Sequence, residues 1–219
     1  MDENGFEYEE RPGEPEEGGG PDGNGEPEPK KIDFARELFD WAQSLVFAFV
    51  GIVLLFAFAA SVFSVTQTSM TNTLQDGEMV MISRLPYTPK HGDVILFTKY
   101  GWQRSYNEDT GQYSPMVKRV IGLPGDEIDF LMDGNTGTLY RNGTPLDEPY
   151  IRDPMLRWAG DMAMPLPLKV PENCVFAIGD NRNGSHDSRY ADIGFIDRRG
   201  ILGPVILRVT PLSKFGPVK

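Results

Sequence analysis

Glu78-Met-Val-Met-Ile-Ser-Arg-Leu85 alternates between its two faces and is stopped by Pro86. A two-residue period over so short a run marks a half-buried strand, and related signatures recur down the chain. Asp93-Val-Ile-Leu-Phe-Thr98 and Val117 to Ile121 are short apolar runs with β-branched residues. Thr138-Leu-Tyr-Arg-Asn-Gly-Thr-Pro-Leu146 reads as a hairpin turning at Asn142-Gly143, a pair that tolerates the left-handed backbone of a two-residue turn. Cys174-Val-Phe-Ala-Ile-Gly179 reads as a buried strand, and Ile201-Leu-Gly-Pro-Val-Ile-Leu-Arg-Val209 closes the series. Many short strands punctuated by Gly and Pro, with no amphipathic helix among them, predict a mainly β fold over residues 65–219: an antiparallel β-barrel or sandwich. Residues 131–170 are rich in Pro and Met and less regular, and are expected to form an inserted subdomain.

Upstream the composition changes twice. Leu45 to Phe63 is an apolar run without a charged residue, entered at Trp41. It is long enough to cross a bilayer as a helix, lacks the polar face of a buried core helix, and is too long for the apolar part of a cleaved leader. A single membrane-anchoring helix is therefore expected within residues 32–64. Lys30, Lys31 and Arg36 precede the run and no Lys or Arg follows until Arg84, which predicts a cytoplasmic N-terminus and an extracytoplasmic β domain. Residues 1–29 hold eleven Asp and Glu against the single Arg11, whereas the whole chain carries a net charge of −11. The remainder, with 21 acidic and 20 basic residues, is near neutral, so the acidity belongs to the tail. Rich in Pro, Gly and acid and poor in apolar residues, residues 1–31 read as a disordered acidic tail. No basic stripe supports nucleic-acid binding.

Two stretches carry the chemistry. Thr66-Gln-Thr-Ser-Met-Thr-Asn-Thr-Leu74 presents Ser69 with no acidic or His neighbour to serve as its base. Met116-Val-Lys-Arg-Val-Ile-Gly-Leu-Pro-Gly-Asp126 presents Lys118 among apolar side chains. A serine hydroxyl needs a proton acceptor, and a lysine serves as one only where a desolvated setting strips its charge; Met70, Val117 and Val120 could provide that setting. Other residues are weaker candidates. Cys174, the only cysteine, reads as a packed thiol. Ser185-His186-Asp187 contains the residue types of a catalytic triad, but consecutive side chains cannot face one another as a triad requires. His186 reads as a loop residue and His91 as the lead into a strand, and neither has a metal-ligand spacing around it. No metal and no cofactor is expected.

These residues together carry a family resemblance. The chain resembles the bacterial type I signal peptidases, membrane-bound Ser/Lys endopeptidases, in four ordered segments: Ser69-Met70-x-x-Thr73-Leu74, Gly92-Asp93-Val-Ile95, Val117 to Asp126, and Gly179-Asp-Asn-Arg-Asn-Gly-Ser-His-Asp-Ser-Arg189. The last two are long and specific. The resemblance implies that Ser69 attacks the scissile carbonyl and that a neutral Lys118 takes its proton. It also implies that Ser185 orients the lysine, and that Asp187 with Arg189, and Arg119 with Asp180, form supporting ion pairs. The Ser69 backbone amide would be one oxyanion donor. Gln67 stands where some members supply a hydroxyl as the second, and Asn72 where Pro is usual; a glutamine amide could donate as well.

Implied partners are the signal peptides of secretory precursors, the lipid bilayer, and the neighbourhood of the secretion machinery. Ser69 lies six positions beyond Phe63, at most about 20 Å when extended, which would hold the nucleophile near the outer membrane surface. Two alternatives remain open at this level: another Ser/Lys protease of related fold, and a non-enzymatic membrane-anchored β interaction module.

Overall fold

The structure, a computed structural model, describes residues 34–101, 106–158 and 163–218. The acidic tail and the Lys30-Lys31 pair lie outside the described residues. The chain divides into two units, residues 1–46 and 47–219, and the division falls within the helix α1 (Phe34–Ala59). Its most apolar stretch has a mean hydropathy of 2.3 and is not buried by any of the described residues. At about 1.5 Å per residue, its 26 residues run about 39 Å, longer than the roughly 30 Å of a bilayer's hydrocarbon core.

The helix stops earlier than the apolar run does. Ala60–Ser64 is strand β1, paired antiparallel with β2 (Met79–Ser83) from Ala60 opposite Ser83 to Ser64 opposite Met79. Val62 and Phe63 favour a pleated surface, and Phe63 packs on the core cluster of Val65, Met70, Leu74, Val80 and Ile82. The Arg84 amide donates to the Ala59 carbonyl at 2.8 Å, closing the junction. Apolarity alone does not distinguish lipid-facing helix from sheet, so residues 60–64, expected in the anchor, belong to the β fold instead.

The remaining strands follow in order: β3 (Val94–Phe97), β4 (Tyr106–Asn107), β5 (Gln112–Tyr113), β6 (Met116–Gly122), β7 (Glu127–Asp133), β8 (Thr136–Arg141), β9 (Thr144–Pro145), β10 (Leu168–Lys169), β11 (Cys174–Ile178), β12 (Ile196–Asp197) and β13 (Ile201–Thr210). All pairings are antiparallel, as the short-strand pattern predicts. One sheet has the order β1-β2-β13-β3-β6-β11-β12, a second β10-β7-β8-β9, and β4 pairs with β5. β3 is buried at all four positions because both faces of the large sheet are covered. Val94 and Leu96 enter the cluster around Met70, whereas Ile95 and Phe97 enter one with Val120, Val175 and Ala177. Full burial of a side chain of that size contributes on the order of 1.5–3 kcal/mol.

The irregular region is organised by the second sheet, which begins at Glu127, four residues before the expected boundary at 131. Its hairpin turns at Asn142 and Gly143, with φ of 53° and 75°, the left-handed pair that the Asn-Gly sequence predicts. Its core is shared with the large sheet: Ile128, Phe130, Leu139 and Leu168 pack with Ile121 of β6 and with Phe176 and Ile178 of β11. Trp158 stacks between Phe130 and Phe176, at centroid distances of 5.7 and 6.0 Å. This insertion is therefore a second layer over the strands that carry Lys118 and Gly179.

Candidate active site

Ser69 lies in a turn just beyond β1. Thr71 N donates to Thr68 O at 3.2 Å, and Thr73 N and Leu74 N donate to Met70 O at 2.8 and 2.6 Å. Met70 and Leu74 anchor the turn in the core and leave Ser69 half-exposed at the cleft. Lys118 comes from β6, held between β3 and β11, with Ile95 opposite it in the ladder. Its Nζ lies 2.7 Å from Ser69 Oγ. Lys118 is only 2% exposed, and burial pulls its amine from 10.5 to about 8. Asp187 opposes that shift, Arg189 adds to it, and Asp180 opposes it. A buried amine in this range releases its proton near neutrality, as a general base requires.

Near Ser69 and Lys118, Arg119 holds Asp180 through Nε at 2.8 Å and through a second bond at 2.6 Å, with both residues buried. Asp180 also accepts from the Thr73 hydroxyl, and its carbonyl accepts from Asn72 Nδ2 at 3.0 Å. Asn72, the departure from the usual proline, thus ties the serine turn to the Asp180 segment. Met70 buries its side chain, and its Sδ accepts from Asp180 N at 3.4 Å. Asp187 and Arg189 form the second expected pair, at 2.8 and 2.9 Å. Arg189 and burial act oppositely on Asp187: burial raises its carboxyl, while the guanidinium and its hydrogen bonds, with that from Gly179 N, bring it below the ordinary range.

Gly179 is a point of close contact within the site. A Cβ there would lie 2.3 Å from Ser185 Oγ and 2.4 Å from the Ser69 carbonyl oxygen. That carbonyl accepts from Asn181 N at 3.0 Å, and Asn181 Nδ2 donates to Thr68 O at 3.1 Å. Ser185 Oγ, enclosed beside Gly179, lies near enough to the Asp187 carboxylate to help lower it, without an ordinary hydrogen-bond geometry; it is not bonded to Lys118, whose orientation the resemblance assigns to it. Gln67 is exposed with φ of 97°, a left-handed backbone that Asp76 Oδ1 stabilises by accepting from Gln67 N at 2.9 Å. A non-glycine residue in that region costs about 1–3 kcal/mol. It lines, with Ser69, Met70, Leu96, Met116, Val117 and Lys118, a cleft of about 150 Å³.

Three neighbours of the site escape the sequence reading. Arg182 forks onto Glu148 with two bonds of 2.6 Å, and Tyr150 lays its ring 4.0 Å from the Arg119 guanidinium. Arg182 sits inside the Gly179–Arg189 motif, but its partner is 34 residues away in the irregular region, where no periodicity announces it. The other candidates fall outside the cleft: His186 bonds Asp192 and stacks on Tyr190, and His91 pairs with Asp126 at 2.7 Å. Cys174 is half-buried, and burial followed by the Asp197 charge pushes its thiol up, away from a reactive thiolate.

Comparison with known proteins identifies the family. The pattern of the family described as signal peptidase, peptidase S26, matches residues 38–210. A probable signal peptidase I-1 of Synechocystis sp. is 34% identical over 175 residues, covering 78% of this chain and 82% of that protein. Signal peptidase IB of Staphylococcus aureus is 33% identical over 195 residues, covering 82% of this chain and 93% of the other. A crystal structure of a signal peptidase I from Enterococcus faecalis, 28% identical, aligns with 54% of this chain and 97% of its own at a TM-score of 0.38. A family pattern running from within α1 to the end of β13, joined by relatives at one-third identity over most of their length, leaves one conclusion: the chain belongs to the signal peptidase family, peptidase S26.

Proposed function

We propose that this serine endopeptidase removes signal peptides from secretory precursors with Ser69 as nucleophile and Lys118 as general base. The observation that carries the reading is the 2.7 Å approach of Lys118 Nζ to Ser69 Oγ, with the amine buried and lowered to about 8. In its charged form the amine donates to the hydroxyl; once neutral it accepts the hydroxyl proton as Oγ bonds to the scissile carbonyl carbon. The carbon–nitrogen bond then breaks, and the leaving amine takes that proton from Lys118. Water attacks the acyl-serine, gives its proton to Lys118, and restores the Ser69 hydroxyl as the new C-terminus leaves.

The oxyanion is assigned to the Ser69 amide and the Gln67 side-chain amide, the latter on a backbone whose conformation supports an aimed donor. Ser185, buried beside Gly179 near the Asp187 carboxylate, is assigned to steady the Lys118 amine during the cycle. Asp187 and Arg189 hold the Gly179–Arg189 segment, and Arg119 holds Asp180. A binding module without chemistry has no use for a desolvated lysine against a serine hydroxyl, since burying the amine costs stability.

Helix Phe34–Ala59 is assigned as a single-pass anchor, with the acidic N-terminus cytoplasmic and the sheets extracytoplasmic, close to the bilayer and to the secretion machinery that delivers precursors. Lys30, Lys31 and Arg36 on its N-terminal side support that orientation. The small residues preceding the cleavage site of a signal peptide suit the shallow cleft beside Met70 and Val117. The assignment is tested with purified full chain, precursor and detergent. Ser69→Ala should fold normally and yield no mature protein by mass spectrometry; turnover above background by that variant would overturn it.

A further inference from the structure

We infer that Glu148, Tyr150 and Arg182 are positioning residues for the reaction, forming a clamp through which the second sheet fixes the distance between the two halves of the site. The inference rests on the Ser69–Lys118 reading above and extends it to residues outside the cleft. Gly179 is where the Ser69 turn meets the Gly179–Arg189 segment, and both polar groups of that glycine are held by charged side chains. Its N–H donates to Asp187 Oδ2 at 3.0 Å, and its carbonyl accepts from Arg182 Nε at 3.2 Å. The remaining face of Gly179 abuts the Ser69 carbonyl and Ser185 Oγ, so closely that no Cβ fits. Any rotation of this peptide therefore moves the nucleophile's own backbone.

Arg182 can hold the carbonyl only if its guanidinium is itself fixed, and Glu148 fixes it. The two 2.6 Å bonds form a planar fork with the Arg182 side chain fully buried and the Glu148 side chain 7% exposed, the arrangement that gives a guanidinium one orientation. Tyr150 sets the carboxylate in turn, donating from its hydroxyl to Glu148 Oε1 at 2.9 Å. Its ring covers Arg119 at 4.0 Å and Arg182 at 5.8 Å. Arg119 holds Asp180, the residue after Gly179. The loop after β9 thus grips two consecutive residues of the active-site segment, one through each arginine. None of the three clamp residues lines the cleft beside Ser69, and the charges acting on the Lys118 amine are Asp187, Arg189 and Asp180. Glu148, Tyr150 and Arg182 act through geometry.

The clamp predicts a particular kinetic signature in full-length protein with a precursor substrate. Turnover is expressed per folded molecule, with folding read by near-UV circular dichroism below each variant's melting temperature. Glu148→Ala should lower kcat by about 30- to 100-fold, the loss expected for misplacing reacting groups by roughly an ångström, with KM within about two-fold of wild type. Tyr150→Phe, which keeps the ring over Arg119 and removes one oxygen, should lower kcat by about three- to ten-fold. Glu148→Gln, retaining the shape and the Tyr150 hydrogen bond, should fall between them. The ascending limb of the pH profile should keep its midpoint in every variant. Wild-type turnover per folded molecule in Tyr150→Phe overturns the clamp even if Glu148→Ala fails to fold. A loss confined to KM, or a displaced midpoint, overturns it too. Precursor cleavage by Ser69→Ala would instead indict the underlying dyad, so the two failures are distinguishable.

Discussion

Asp187-Ser188-Arg189 and Asp197-Arg198-Arg199 spell the same local pattern, an Asp two residues before an Arg, and close into the same ion pair. Arg189 Nε reaches Asp187 Oδ1 at 2.8 Å, and Arg199 Nε reaches Asp197 Oδ1 at 3.0 Å. In both, the arginine's own backbone amide also donates to the carboxylate. Their surroundings differ: side-chain exposure is 0% and 2% for Asp187 and Arg189, against 43% and 91% for Asp197 and Arg199. The buried arginine also spends its NH2 group on the carbonyls of Arg182 and Ser185 and its NH1 on that of Trp158. The first pair ties the Gly179–Arg189 segment together and joins it to Trp158; the second merely caps the short 3-10 turn Arg198–Gly200. Sequence spacing sets the pairing, and burial sets what the pairing is worth.

The largest effect should come from breaking the buried pair on one side. Arg189→Ala leaves the Asp187 carboxylate enclosed without its countercharge and should cost about 3–5 kcal/mol in urea unfolding, with loss of precursor cleavage because three carbonyls lose their donor together. An unfolding free energy within about 1 kcal/mol of wild type would place the pair with its exposed counterpart.

Lys118 sharpens the contrast from the other direction, as a buried cation near this pair without a salt bridge of its own. Its amine is lowered from 10.5 to about 8, chiefly by burial. At pH values below about 8 both folded and unfolded chains hold the proton, and the burial penalty is at full size. Between about 8 and 10.5 the unfolded chain holds a proton that the folded chain has released, so stability climbs with pH; above 10.5 the penalty is gone. Lys118→Met should therefore stabilise the fold by up to about 3 kcal/mol at neutral pH while abolishing cleavage, and the gain should vanish by about pH 11 as that window closes. Wild-type activity should rise with pH through a midpoint near 8. Lys118→Arg should be inactive at every pH, because a guanidinium does not release its proton. Equal wild-type and Lys118→Met stabilities at pH 7 would show that the amine is solvated.

The smallest effect belongs to the exposed pair. Arg199→Ala should leave both the urea midpoint and precursor turnover unchanged within error, since screening by water already discounts that interaction. A measurable loss in either would mean that the Arg198–Gly200 turn bears on the site.

Much of this architecture was legible because it rests on local rules. Asn142-Gly143 names its hairpin, the apolar strands of β3, β6 and β11 name the core, and the two stretches that hold Ser69 and Lys118 are brought within 2.7 Å of each other. The end of the apolar helix was not legible, because Val62 and Phe63 suit lipid and sheet alike and only the pairing with Met79–Ser83 decides between them. Glu148 and Tyr150 were silent for a related reason. A buried carboxylate announces itself through its partner, and Arg182 lies 34 residues downstream. Ser185 lies beside Gly179, and the orientation of its hydroxyl is a matter of rotamer, which no motif encodes.

One further consequence follows from the hydrogen atom that Gly179 carries in place of a side chain. Ser69 and Gly179 are 110 positions apart in the sequence, yet they meet backbone to backbone, with the space of a single methyl already taken by the Ser69 carbonyl and Ser185. Every other amino acid adds at least that methyl, so no mutational step away from glycine is small here. Variation can drift through the cleft walls by graded exchanges of one apolar side chain for another, whereas at position 179 the only path runs through a compensating shift of Ser69 or Ser185 in the same lineage.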